Sequence, residues 1–297
     1  MRFIPKVSLH GSGEVVELSN GSHADFTLMQ GSSGLGMRPQ EISTVALPSG
    51  GSLVQHRRGS EHEVQLPILL GGSERKRWDL RRKLEQLARG QVEIRVTRSN
   101  GVYRSRFGFY KSGLEGMYGA GEDSPNGQKL VLEFLCPGEY WNGEEQGPDF
   151  RLTGLRKRFL SERADEPGGY ESPFLPIVLA SSTVQGEFEI NIGGDAPAYP
   201  TWIVDGPGSD LIIENDKGQS IKVLTEIEDQ VTITTNPLRQ DITSPMKPDG
   251  ELWEHVPTTS VFFGLEPGTQ TVKMSMVGAK PNSLVRCLYR ENYWSGW

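Results

Sequence analysis

Five histidines, at positions 10, 23, 56, 62 and 255, and two cysteines, Cys136 and Cys287, are the residues best suited to acid–base, nucleophilic or metal chemistry in this 297-residue chain. The histidine spacings match no metal-ligand pattern, and the cysteines form no CxxC pair. His56 and His62 lie in adjacent predicted strands beside Arg57, Arg58 and Glu63. An acid–base pair is conceivable there, but the pattern reads better as surface strand residues. Gly31–Gly36 (GSSGLG) has the glycines of a phosphate loop without its Lys-Ser/Thr or its strand-to-helix setting, and reads as a flexible turn. Aspartate and glutamate are abundant, yet no pair follows a glycosidase pattern. Trp202 and Trp253 have the flat faces that stack on sugars, although a sandwich core uses tryptophan equally well. No catalytic motif is present, so the expectation is a non-enzymatic protein with no cofactor and no bound metal.

The elements that carry these residues are mostly strands. Ser73–Arg89 reads as the one amphipathic helix: Ser73 is a capping residue, Gly90 a stop, and Leu80, Leu84, Leu87 and Ala88 share a face. Its basic residues, among them Arg81 and Arg82, read as a solvated outer face. His62–Leu70 precedes it as a strand, and Val92–Ser99 and Val102–Tyr110 follow around an Asn100-Gly101 hairpin turn. Further strands are expected at Arg2–Leu9, Val15–Leu18, Phe26–Met29, Glu41–Leu47, Leu53–Arg58 and Gln128–Cys136. From Gln146 to Glu171 the sequence is polar and broken by Gly and Pro, as in a connection between domains.

Beyond it, turn-separated strands are expected at Gly186–Gly193, Thr201–Asp205, Asp210–Glu214, Ser220–Leu224, Gln230–Thr235, Ser260–Leu265, Thr269–Met276 and Ser283–Tyr289. They make the second half all-β, as two packed antiparallel sheets. The chain closes on YRENYWSGW (Tyr289–Trp297), which admits a last strand, a tail folded back, or an anchor for another protein. The reading taken is a docked tail, because Ser295 and Gly296 weaken strand pairing and Trp294 and Trp297 supply contact surface.

Composition sets outer limits. Hydrophobic content of 35% and charge of 23% describe a folded chain, and the length favours two domains. The 36 glycines and 19 prolines are scattered, which suits short strands and excludes collagen or coiled coil. A net charge of -7 gives no reason to expect nucleic-acid binding. No apolar run is long enough to span a membrane, and no secretory leader is visible in MRFIPKVSLHGSG. The two cysteines are therefore expected reduced and buried, and Asn20-Gly21-Ser22 an ordinary turn rather than a glycosylated sequon.

In order along the chain, these features resemble the distal tail proteins of long-tailed phages (siphoviruses) and related minor tail proteins. The resemblance rests on the Gly-Leu run before Pro39, the strand Arg58–Leu70 entering a helix with Trp78, Leu84 and Leu87, and the Asn-Gly hairpin with Arg104 and Tyr110. It continues in Pro137 and Trp141, Thr201–Asn215, Ile233–Pro237 and Asp249–Met276. It implies a mainly β chain. Residues 1–150 would form a β-barrel-like domain carrying the helix 73–89, 151–171 a linker, and 172–297 a galectin-like antiparallel β-sandwich. It implies a structural role in a ring, usually a hexamer, that joins the tail tube to the tail tip or baseplate. The implied partners are further copies of the chain, the tube protein, the tape measure protein and the tail-tip hub proteins, with the product in the virion tail after assembly in the bacterial cytoplasm. The alternative is a carbohydrate-binding tail module that contacts host glycan. Trp202, Trp253, Trp294 and Trp297 are the candidate interface or sugar contacts.

Overall fold

Strict alternation in HEVQLPILL sets an interior strand of the first unit's sheet. His62, Val64, Leu66, Ile68 and Leu70 are all buried while the intervening residues are not, the period-two pattern of a strand with one face on a core. A computed structural model describes residues 6–18, 24–115, 123–124, 127–151, 183–248, 250–280 and 283–297. The expected linker from residue 152 onward, His23 and Asn20-Gly21-Ser22 lie outside the described residues. The chain divides into two units. One comprises Met1–Glu144 together with Asn292–Trp297, and the other Glu145–Glu291.

The first unit contains β1 (Lys6–Gly11), β2 (Glu14–Leu18), β3 (Phe26–Leu28), β4 (Gln40–Ala46), β5 (Ser52–Gly59), β6 (His62–Leu70), α1 (Glu74–Leu87), β7 (Gln91–Thr97), β8 (Tyr103–Ser112), β9 (Asp123–Ser124), β10 (Gly127–Cys136) and the start of β11 (Trp141–Gln146). Antiparallel pairing runs β2-β1-β7-β8-β10-β6-β3, with β9 on β10 and Asn142 of β11 opposite Ser105. The Asn100-Gly101 turn joins β7 to β8: Gly101 adopts φ 86°, and Arg98 N donates to Val102 O at 2.9 Å. Ser73 caps α1 by accepting from Lys76 N at 3.4 Å. Leu80, Leu84 and Leu87 are buried against this unit's core, as the stripe predicts.

Two readings need correction here. Arg81 is not solvated: it is buried, with Nη2 donating to Leu114 O at 2.7 Å and Nε to Glu85 at 3.2 Å. The apolar stem of a long cation lies readily in such a seam while its head finds acceptors. Gly31–Gly36 is not a loose turn either. Ser33 exchanges main-chain hydrogen bonds with Gln65 at 3.0 and 3.1 Å, and Leu35 is 2% exposed within the core. Gly34 sits at φ 77° flush against the Glu63 carbonyl, where no Cβ fits.

The second unit contains β12 (Asp149–Arg151), β13 (Thr183–Ile192), β14 (Thr201–Asp205), β15 (Gly208–Asn215), β16 (Ser220–Ile227), β17 (Gln230–Thr234), β18 (Asp241–Thr243), the 3-10 helix η1 (Glu251–His255), β19 (Gly268–Val277) and most of β20 (Leu284–Tyr293). One antiparallel sheet runs β13-β19-β15-β16. The other pairs β20 with β12 and β14, β14 with β17, and β17 with β18. Between them lie Ile190, Trp202, Leu211, Ile233, Val272 and Val285, all buried. The protein is thus mainly β with antiparallel sheets, and α1 is the single α-helix among the described residues.

Ser260–Leu265 forms no strand, contrary to expectation. It meets Ala198 only through Leu265, in a two-bond bridge of 2.7 and 2.8 Å. Gly264 lies flush on the Tyr199 ring; close packing of a side chain onto the backbone there takes the place of a ladder. The strands β11, β12 and β18 and the helix η1 are absent from the sequence reading, each being short and without clear alternation.

Candidate interaction surfaces

The residues suited to chemistry are scattered by the fold. His56 is exposed on β5 opposite Ser43, whereas His62 is 1% exposed on β6 opposite Cys136. The surface reading therefore fails for His62. Its Nε2 lies 2.5 Å from Gly34 O, so the ring ties the Gly31–Gly36 loop to the sheet. Burial, and then the nearby Arg106 charge, holds His62 below the ordinary histidine range; the Gly34 bond opposes this and Arg38 adds to it. Of the neighbouring charges, Arg58 pairs with Glu41 at 2.7 Å and Glu63 with Lys111 at 2.5 Å. No acid–base pair forms. Among the described residues, no three His, Cys, Asp or Glu side chains are placed to hold a metal.

Both cysteines are free and buried. Burial pushes the Cys136 thiol up to about 11 and the Cys287 thiol up as well, so neither is a nucleophile. Beside Cys136, Arg106 is itself buried and hydrogen-bonded through Nη2 to the Gly138 and Glu139 carbonyls; desolvation lowers its pKa to about 10. Cys136 and Arg106 lie in the interior of the first unit, and Cys287 in the core of the second.

The four candidate tryptophans do not converge. Trp202 is fully buried in the second unit's core and offers no face to a sugar. Trp253, on η1, is 38% exposed and lies 5.4 Å from the Phe262 ring. Trp294 and Trp297 belong to the first unit. Trp294 meets Tyr140 edge-on at 4.9 Å, while the Trp297 side chain is half exposed.

The terminal segment is docked within the first unit, on residues that the sequence did not single out. Arg104 Nη1 donates to the main-chain oxygens of Ser295 and Trp297, both at 2.9 Å, and the guanidinium lies 3.5 Å from the centre of the Tyr293 ring. Gly296 N donates to Leu35 O at 3.0 Å, and the Asn142 amide donates to Asn292 at 2.7 Å. The Gly31–Gly36 loop thus carries a core plug in Leu35, an acceptor for His62 and a seat for the tail.

The opposite case is the hairpin β4–β5, paired with no other strand among the described residues. Ile42, Val45, Leu47, Leu53 and Val54 are between 43% and 59% exposed. Register places Ile42 opposite Arg57, Thr44 opposite Val54 and Val45 opposite Leu53, so both faces of the arm carry apolar side chains. An isolated two-stranded hairpin is marginal in water, and its open edges invite pairing. At its base lies a cleft of about 440 Å³ lined by Gln40, Arg57, Arg58, Gly59, Glu139 and Trp294. A second cleft, of about 450 Å³ in the second unit, is lined in part by Glu226, Glu228, Asp229, Met246 and Lys247.

No protein-family model matches the chain, and no curated protein matches it. Solved structures do. SPP1 Dit (gp 19.1), described as a paradigm of the hub adsorption apparatus in phages infecting Gram-positive hosts, matches with a TM-score of 0.60 at 13% identity over 96% of this chain and 98% of that one. A chain of the phage P2 baseplate, in its activated conformation with Ca, matches at 0.55 and 11% over the same shares. The same baseplate with Sr matches equally well. At these identities the likeness shows a shared fold, and it extends across both units.

Proposed function

We propose that the chain is a structural protein of a phage tail tip, a distal tail protein whose first domain closes into a ring of six copies between the tail tube and the tail-tip or baseplate proteins. The observation that carries this reading is the fold match to a tail hub protein over nearly the whole of both chains. A catalytic domain grafted on a hub would leave a large unmatched part. The exposed arm β4–β5 supports assembly, since its apolar residues lie open among the described residues. In this reading the first unit, Met1–Glu144 with Asn292–Trp297, makes the ring wall, and Glu145–Glu291 is a separate outer domain. The ring contacts the tube protein, the tape measure protein and the hub proteins, and the product resides in the virion tail after assembly in the bacterial cytoplasm. Buried free thiols suit that compartment.

Mass photometry at micromolar concentration tests the reading, with negative-stain imaging alongside. Rings near six times the 32.9 kDa chain mass are expected. A strictly monomeric species, with tube protein also present, overturns it. The second role, glycan binding by the outer domain, keeps Trp253 as its exposed aromatic contact. Calorimetric titration with host-wall sugars decides it: binding that is lost in Trp253→Ala supports the role, and silence removes it.

A further inference from the structure

The cations of α1 fall into two sets. Lys76 pairs with Asp25 at 2.5 Å, Arg81 with Glu85 at 3.2 Å and Lys83 with Glu14 at 3.3 Å, and Arg77 donates to the Gly72 carbonyl at 3.4 Å. Arg75 and Arg82 are exposed, and among the described residues neither meets a carboxylate at ion-pair distance. Between them stands Trp78, 57% exposed. Its ring stacks on no other aromatic among the described residues.

Helical spacing gathers these three side chains. At about 100° per residue, Arg75, Trp78 and Arg82 fall within an arc of about 60°, opposite the buried stripe of Leu80, Leu84 and Leu87. Glu74 and Asp79 stand to either side of that arc, and Glu85 is engaged by Arg81. Every other cation of α1 thus has a partner inside the first unit, while the two that flank the indole have none. Tryptophan and arginine are the side chains most enriched at the centres of protein interfaces, where one such ring buries about 150–250 Å².

We propose that the Arg75–Trp78–Arg82 stripe is a docking surface for an acidic protein surface with an apolar recess. The recess receives the Trp78 ring, and carboxylates around it close on the two guanidiniums. Charge complementarity selects this occupant: two free cations about 10 Å apart along the helix call for two anions, and the indole between them calls for an apolar pocket. A nucleic acid also supplies anions, but a chain of net charge -7 repels a polyanion over the rest of its surface. The partner's source rests on the tail-tip reading, in which it is a neighbouring protein of the same tail.

Biolayer interferometry on the immobilised full-length chain makes the test. The probes are the purified tube protein, the purified tail-tip hub protein and duplex DNA of the same phage. One of the two proteins is expected to bind. Trp78→Ala is expected to weaken that binding at least thirtyfold, roughly the loss at an interface hot spot. Arg75→Glu/Arg82→Glu is expected to slow association about tenfold and to flatten its dependence on salt. All three positions are exposed, and circular dichroism and melting check the folding of each variant. Folded variants that bind as the wild type does overturn the docking surface and leave the tail-tip reading standing. DNA binding that is lost in the arginine variant overturns it in favour of a nucleic acid, and loss of the ring itself in Trp78→Ala overturns it in favour of a second copy of this chain. A wild type that binds neither protein overturns the docking surface too, and mass photometry of the same sample then decides the ring on its own.

Discussion

In the arm β4–β5, Ile42, Leu53 and Val54 are each more than half exposed, whereas in Asn292–Trp297 every residue has a partner within the first unit. Both stretches are rich in apolar or aromatic side chains; in sequence the first reads as two strands and the second as a docked tail. What separates them is whether the same unit supplies the partner. The tail finds Leu35, Arg104, Tyr140 and Asn142, residues remote in sequence that the sheet brings to one place. Among the described residues the arm pairs with no other strand, so its apolar surface lies open.

The comparison is sharpest at leucine. Leu84→Ala, on the buried stripe of α1, is expected to cost roughly 2–5 kcal/mol, whereas Leu53→Ala on the arm stays within about 0.5 kcal/mol for the monomer. Urea unfolding of both variants measures the contrast, and equal losses would erase it. The tail comes next. Arg104→Ala removes two hydrogen bonds from a charged donor and its contact with Tyr293, a loss of about 1.5–3 kcal/mol that lowers the melting temperature by several degrees. Deleting Trp294–Trp297 should match it. An unchanged melt in both would mean that the tail is as independent of its unit as the arm.

A smaller effect follows from His62, which holds the loop on which the tail sits. Its pKa is lowered in the folded protein, so the folded state favours the neutral ring and the unfolded state binds the proton more readily. The stability contribution is complete above the unfolded value of 6.5 and declines as pH falls below it. His10, lowered first by burial and then by Arg95, acts in the same direction. Unfolding midpoints at pH 7.5 and 5.5 should fall more for the wild type than for His62→Gln. Identical slopes would remove His62 from the account. The smallest change expected is Arg82→Ala on the exposed side of α1, within about 0.5 kcal/mol.

Local signals foretold much of the fold. Ser73 with the leucine stripe, the Asn100-Gly101 turn and the alternation of His62–Leu70 each depend on neighbours a few residues away, and each gave an element close to the one observed. The misreadings involve partners that no local window contains. Gly31–Gly36 resembles a free turn until the Glu63 carbonyl lies against Gly34. Arg81 resembles a surface cation until the Leu114 carbonyl receives it. Ser260–Leu265 has the apolar run of a strand, but the backbone packs on Tyr199 instead of on a ladder. The tail's seat was only partly legible, since nothing near Arg104 in sequence announces that it will hold Ser295 and Trp297.

That last pair of hydrogen bonds spans 191 and 193 residues. During synthesis the first 144 residues leave the ribosome long before Asn292–Trp297 exist, and the whole second unit is made in between. The Arg104 bonds to Ser295 and Trp297 therefore form only after translation has passed the end of β20. Closing so large a loop is slow relative to forming the local hairpins around it. The segment thus acts as a clock: its bonds to Arg104 report chains whose second unit has already been translated.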